Sequence, residues 1–112
     1  MQTVVAQIIN DLRDKGGLQG KDIANIVDAS PATVSRWSKG TANPSIQKQT
    51  IISDLRYVVD RLAEFYSPDE ARLWLHSRHP LLNNERAIDL INAGRTLEVL
   101  AAIERLSADV YL

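Results

Sequence analysis

Between Gly20 and Gly40 the chain has room for two short helices and a tight turn, and almost every residue there restricts how they sit. Ile23, Ile26 and Val27 give the first helix one apolar face, with Ala24 beside them as the small residue where a second helix crosses closely. Asp28 falls where the chain must turn, and Asp is one of the few non-glycine residues that tolerates a left-handed backbone. Ser30 then offers an oxygen to unpaired amides, and Pro31 takes the first helical position, where a missing N–H costs nothing. Val34 and Trp37, three apart, face inward, and Gly40 ends the second helix. Ala32, Thr33, Ser35, Arg36 and Lys39 are left on its outer face, and a short helix with small and basic residues outward is what the DNA major groove accepts. The bland alternative is an αα-hairpin that touches no nucleic acid.

This pattern resembles the helix-turn-helix of the Xre family over roughly residues 18 to 48, with Ala24, Val34 and Trp37 at the matching positions and Asp28 where glycine is usual. Charge follows the same division. Residues 1–48 carry Arg13, Lys15, Lys21, Arg36, Lys39 and Lys48 against Asp11, Asp14, Asp22 and Asp28, a net +2, whereas the remainder has seven Arg, no Lys and ten acids, a net −3. The basic half is therefore the half with the motif. Arg36 is the outward side chain able to make a bidentate contact to guanine, and Lys21, Ser30, Thr33, Lys39 and Lys48 are expected to hold phosphates. So few cations imply weak binding per protomer.

Around the motif the signals are helical throughout, so the expected class is all-α. Val4, Val5, Ile8, Ile9 and Leu12 recur at helical spacing before Gly16-Gly17, and Thr41–Ser45 reads as a turn. Apolar residues from Ile51 to Phe65 mark a long connecting helix that reaches about Tyr66 and spans about 30 Å. Ser67-Pro68-Asp69-Glu70 is a capping-box restart. Helical segments at roughly 84–93 and 96–107 follow, with no strand signal anywhere. The expected organisation is a DNA-binding region over 1–48, the connecting helix over 49–66 and a helical region over 67–112.

In that last region Trp74-Leu75, Pro80-Leu81-Leu82, Ala87-Ile88-Asp89-Leu90-Ile91, Gly94, Val99 and Ile103 fall in an order similar to the small helical domain of the Xre/MbcA/ParS-like antitoxins. Ala87, Asn83-Asn84 and Ser107-Ala108 depart from that pattern, where Pro or Gly is common. The resemblance implies an Xre-like helix-turn-helix followed by a toxin-binding domain. It also implies a RES-domain toxin that degrades NAD as partner, and repression of the chain's own operon through operator DNA. The rival readings are a stand-alone Xre-like repressor whose second half only dimerises, and an interaction domain without DNA binding.

Other chemistries find little support. With no Cys, the chain has neither disulfides nor thiolate metal sites, and it lacks an export signal or an apolar run of roughly 18 residues, so it is expected to be cytoplasmic. His76 and His79 have helical spacing but no evident third ligand, and they read as core-edge or solvent-exposed histidines. No phosphate loop, nucleophile elbow or metalloprotease pair occurs, so neither an enzyme nor a cofactor is expected. Two features point to partners. Ile51, Ile52, Val58, Val59, Phe65, Trp74, Leu75, Leu90 and Ile91 exceed what so short a chain is expected to hide, which predicts a homodimer or a toxin-bound hetero-oligomer. Ala108, Asp109, Val110, Tyr111 and Leu112 form an apolar-rich tail that either folds back on the protein or a sister subunit, or enters the toxin.

Overall fold

The computed structural model describes residues 3–110. Its helices are α1 (Val4–Gly16), α2 (Gly20–Val27), α3 (Pro31–Lys39), α4 (Ile46–Leu62), α5 (Pro68–His76), α6 (Ala87–Asn92) and α7 (Thr96–Val110). Local chemistry sets most of their ends. Thr3 accepts the Ala6 amide to start α1, Ser30 accepts that of Thr33 to start α3, and Ser45 accepts that of Lys48 to start α4. The predicted box at α5 is made in both directions: Glu70 accepts the Ser67 amide at 2.9 Å and Ser67 accepts the Glu70 amide at 3.3 Å. Gly17, Gly40 and Gly94 sit at positive φ where helices stop.

α4 runs through the middle of the molecule. It packs against α1 on one side and against α6 and α7 on the other, while α1 also meets α3 and α5. One continuous core results, from Ile9 and Leu12 through Leu55 and Val59 to Leu75, Ile91 and Ile103. The sequence-based partition at residues 48 and 66 therefore marks no gap in packing. At Gly17, φ +62, the chain passes so close to the start of α5 that an added Cβ would lie 2.7 Å from the Pro68 carbonyl oxygen.

Several expectations are corrected. The surplus of apolar residues is absent: Ile52, Val58, Val59, Leu75, Leu90 and Ile91 are buried in the chain's own core and Trp74 is only 9% exposed, because helices cover α4 on both sides. Ile51 and Phe65 are half-buried. The large apolar side chains in water are others: Val4, Ile46, Tyr57, Leu73, Leu81 and Leu97.

α4 also ends at Leu62 rather than near Tyr66. The next residues tighten into i→i+3 bonds (Glu64 to Arg61, Phe65 to Leu62), and Ser67 before Pro68 is extended. A strand pair that no periodicity announced joins β1 (Arg78–His79) to β2 (Glu85–Arg86), antiparallel, with Arg78 opposite Arg86. Between them lie a 3₁₀ turn over Pro80–Leu82 and left-handed Asn83 and Asn84. Two residues are too few to display alternation. Consequently α6 starts at Ala87, not 84, and α7 continues past 107 to Val110.

Candidate nucleic-acid interface and the helices behind it

The α2–α3 pair takes the expected form. Ala24, Val34 and Trp37 are buried, so the opposite side of α3 faces outward. Along it Ser30, Ala32, Arg36 and Lys39 are exposed, and Thr33 and Ser35 are half-exposed. The polar groups are already aligned: the Ser30 and Thr33 hydroxyls lie 2.8 Å apart, and the Arg36 guanidinium donates to the Thr33 hydroxyl at 3.0 Å. That bond draws the guanidinium back along α3 towards its N-terminal turn. Lys21 is exposed at the start of α2. The face offers an arginine fork, the hydroxyls of Ser30, Thr33 and Ser35 and the ammonium groups of Lys21 and Lys39, which suffice for one guanine contact and a few phosphate contacts.

Lys48 is differently placed. Its ammonium donates to the carbonyls of Val27 and Asp28, both at 2.8 Å, so a cation sits on the C-terminal end of α2. Asp28 occupies the left-handed region expected of it, φ 57 and ψ 49. On the other side of this turn, Asn92 at the end of α6 donates to the Ile26 carbonyl and lies 3.4 Å from the Asp28 carboxylate. The carbonyls of Ile26 and Val27, the last two of α2, and that of the C-cap Asp28 are thus taken by side chains from α4 and α6.

The start of α2 is held from the second half as well. Asp22 accepts the Gln19 amide at 2.8 Å and two bonds from Arg72 of α5, 3.0 and 3.2 Å, with His76 at 4.0 Å. Burial pushes the Asp22 carboxyl up. The bonds from Arg72 and the Gln19 amide, with the charges of Arg72 and His76, outweigh burial and hold it below its ordinary value. Between these two attachments a cavity of about 340 Å³ is lined by Asn25, Ile26, His76, Arg86, Ile88 and Asn92, among others.

Neither Asp22 nor Asn92 was singled out from sequence. The available signals were an acid three residues after Gln19 on an otherwise apolar helix, and an amide ending the run Leu90-Ile91.

In the second half the two histidines brace backbone. The His76 ring nitrogen meets the Arg72 carbonyl at 2.8 Å, and His79 meets the Trp74 carbonyl at 2.8 Å while stacking on the Trp74 ring at 4.4 Å. No group of three metal-ligating side chains exists among the described residues, and no helix there is long and apolar enough to cross a membrane. Arg95 is held between Glu98 and Glu85 ahead of α7, and its bond to Glu98 raises the guanidinium pKa. Of the tail, Ala108 is exposed on α7. Asp109 and Val110 continue that helix, but their side chains, together with Tyr111 and Leu112, lie outside the described residues.

No family model matches the chain. Among curated proteins, the mycobacterial cidal antitoxin MbcA of Mycobacterium tuberculosis is 36% identical over 110 residues, covering 97% of this chain and 96% of that protein. MbcA of Mycobacterium bovis is equally similar, 36% over 110 residues. A chain in the crystal structure of the M. tuberculosis MbcT–MbcA toxin–antitoxin complex superposes with a TM-score of 0.84 at 33% identity, covering 98% of this chain and 99% of that one.

Proposed function

The chain belongs to the family of the mycobacterial cidal antitoxin MbcA, and from that premise we propose that it is the antitoxin of a toxin–antitoxin pair with two binding activities. The observation that carries this is likeness along nearly the whole chain to a protein solved together with its toxin. Such a protein acts by binding, and no catalytic group is required of it.

The first activity is neutralisation of a RES-domain toxin that degrades NAD. An NAD pocket takes flat rings and is electropositive near the pyrophosphate. The tail supplies Tyr111 as a ring, Asp109 as an anion and Val110 and Leu112 as apolar groups. In this reading residues 108–112 cover the entrance of the toxin's active site, and α5–α7 form the platform from which they project.

The second activity is operator binding through α3, which supports repression of the chain's own operon. Arg36 reads guanine, and Ser30, Ala32, Thr33, Ser35, Lys21 and Lys39 line or anchor the contact. Lys48 serves here through its hold on the turn ahead of α3. With few cations per protomer, paired half-sites are needed. A homodimer or a toxin-bridged assembly would supply them.

The test is co-expression with the neighbouring gene product, followed by pull-down, NAD assay and gel shift on the upstream DNA. The reading requires a stable complex, protection of NAD and a shifted band. A band shift without a toxin partner would instead favour a stand-alone repressor.

A further inference from the structure

The turn after α2 is held by more than its own backbone bonds to the Ala24 carbonyl. The carbonyls of Ile26 and Val27, which end α2, and of its C-cap Asp28 are bonded by side chains from elsewhere, Lys48 from α4 and Asn92 from α6. We propose that Asn92 and Lys48 are positioning residues for the DNA-reading helix, so that, through Asn92, the aim of α3 is set in part from the half of the chain assigned to the toxin. This rests on the DNA reading proposed above and adds what controls it.

The turn needs such control. Asp28 stands left-handed at φ 57 without the freedom of glycine, so the arrangement competes with others that its neighbours must exclude. Asn92 reaches both the Ile26 carbonyl and the Asp28 carboxylate, bracing backbone and side chain of the turn together. The middle of the α2–α6 interface is the cavity described above, so the second half grips α2 at its two ends: Arg72 on Asp22, and Asn92 on the turn. The lever is short but sufficient. Arg36 lies six residues beyond Ser30, about 9 Å along α3, and a swing on the order of 10° at the turn displaces it by roughly 1.5 Å. A hydrogen-bonded fork does not survive that displacement.

The experiment uses the full chain. Asn92→Ala is compared with wild type for binding to a fluorescein-labelled duplex of the chain's own upstream DNA, for amide shifts along α3, and for melting temperature. The expected result is an approximately tenfold weaker Kd with shifted amides over Thr33–Lys39 and little change in melting. Adding Asp28→Gly, which adopts the left-handed turn without strain, restores most of the affinity. A purely structural Asn92 would lower the melting temperature and leave the affinity of the folded protein unmoved, and glycine would rescue nothing. That pattern overturns the proposal, as do unchanged affinity and amides in Asn92→Ala. If Asn92→Ala does not fold, Asn92→Asp, equal in size but without the donor, takes its place with the same criteria. Failure of wild type to bind any duplex refutes the DNA reading alone. The α3 amide shifts still decide whether Asn92 positions the helix.

Discussion

Arg72→Ala isolates the attachment of α5 to the start of α2. Asp22 is 5% exposed and draws two bonds from Arg72; without them it keeps the Gln19 amide and a histidine at 4.0 Å. A hydrogen bond to a charged group contributes about 1.5–3 kcal/mol, and removing one partner of a buried pair costs more still. The Arg72 side chain is 41% exposed, however, so water replaces part of what is lost, and the lower end, about 2 kcal/mol, applies. For a domain of this size that lowers Tm by roughly 8 °C, read by far-UV circular dichroism at neutral pH.

Asp22→Asn probes the same attachment through its dependence on pH. The folded carboxyl is held below its ordinary value, so its charge stabilises the fold fully above the unfolded value of about 3.9 and ceases to do so as pH falls through the folded value. The Tm gap between wild type and Asp22→Asn must therefore narrow below about pH 4. A Tm for Arg72→Ala within about 2 °C of wild type, or a gap unaffected by acid, refutes the reasoning.

Gly17→Ala meets the Pro68 carbonyl and costs at least about 2–3 kcal/mol in chemical denaturation. Gly94→Ala, at φ +79 with open space around it, costs only about 1 kcal/mol for the backbone. Equal costs would show that the α1–α5 approach yields freely. Arg36→Ala should cost ~1–3 kcal/mol per half-site and remove preference for the upstream sequence in competition gel shifts; preserved selectivity would place base reading elsewhere. Deleting residues 109–112 should leave Tm and duplex binding nearly intact but abolish most inhibition of the toxin, with Tyr111→Ala losing part of it, since a buried aromatic contributes about 3–5 kcal/mol. Continued protection of NAD by the truncated chain would move the inhibitory surface elsewhere on α5–α7.

What the sequence disclosed is what neighbours along the chain decide. Ser30 with Pro31, Ser67 with Glu70, the glycines at 17, 40 and 94 and the left-handed Asp28 each act within a few residues, and each does in space what its spacing implies. Val34 and Trp37 pointed inward for the same reason.

Contacts between distant segments stayed hidden. Arg72 lies 50 residues from Asp22 and Asn92 lies 66 from Ile26, and nothing local to either names the other. The bonds of Lys48 to the Val27 and Asp28 carbonyls were equally out of view, because composition reports its charge but not the carbonyls it faces. The apolar residues of α4 suggested an unmet partner because periodicity cannot say that one helix is covered on two sides.

The closeness of Gly17 to Pro68 bears on how the protein comes into being. Chains leave the ribosome amino end first, at about 5–20 residues per second. α1 and α2 emerge early, yet α5 and α6, which complete the packing around them after α3 and α4, follow some 50 residues later. The segment made first therefore completes its packing only once α5 and α6 have followed it.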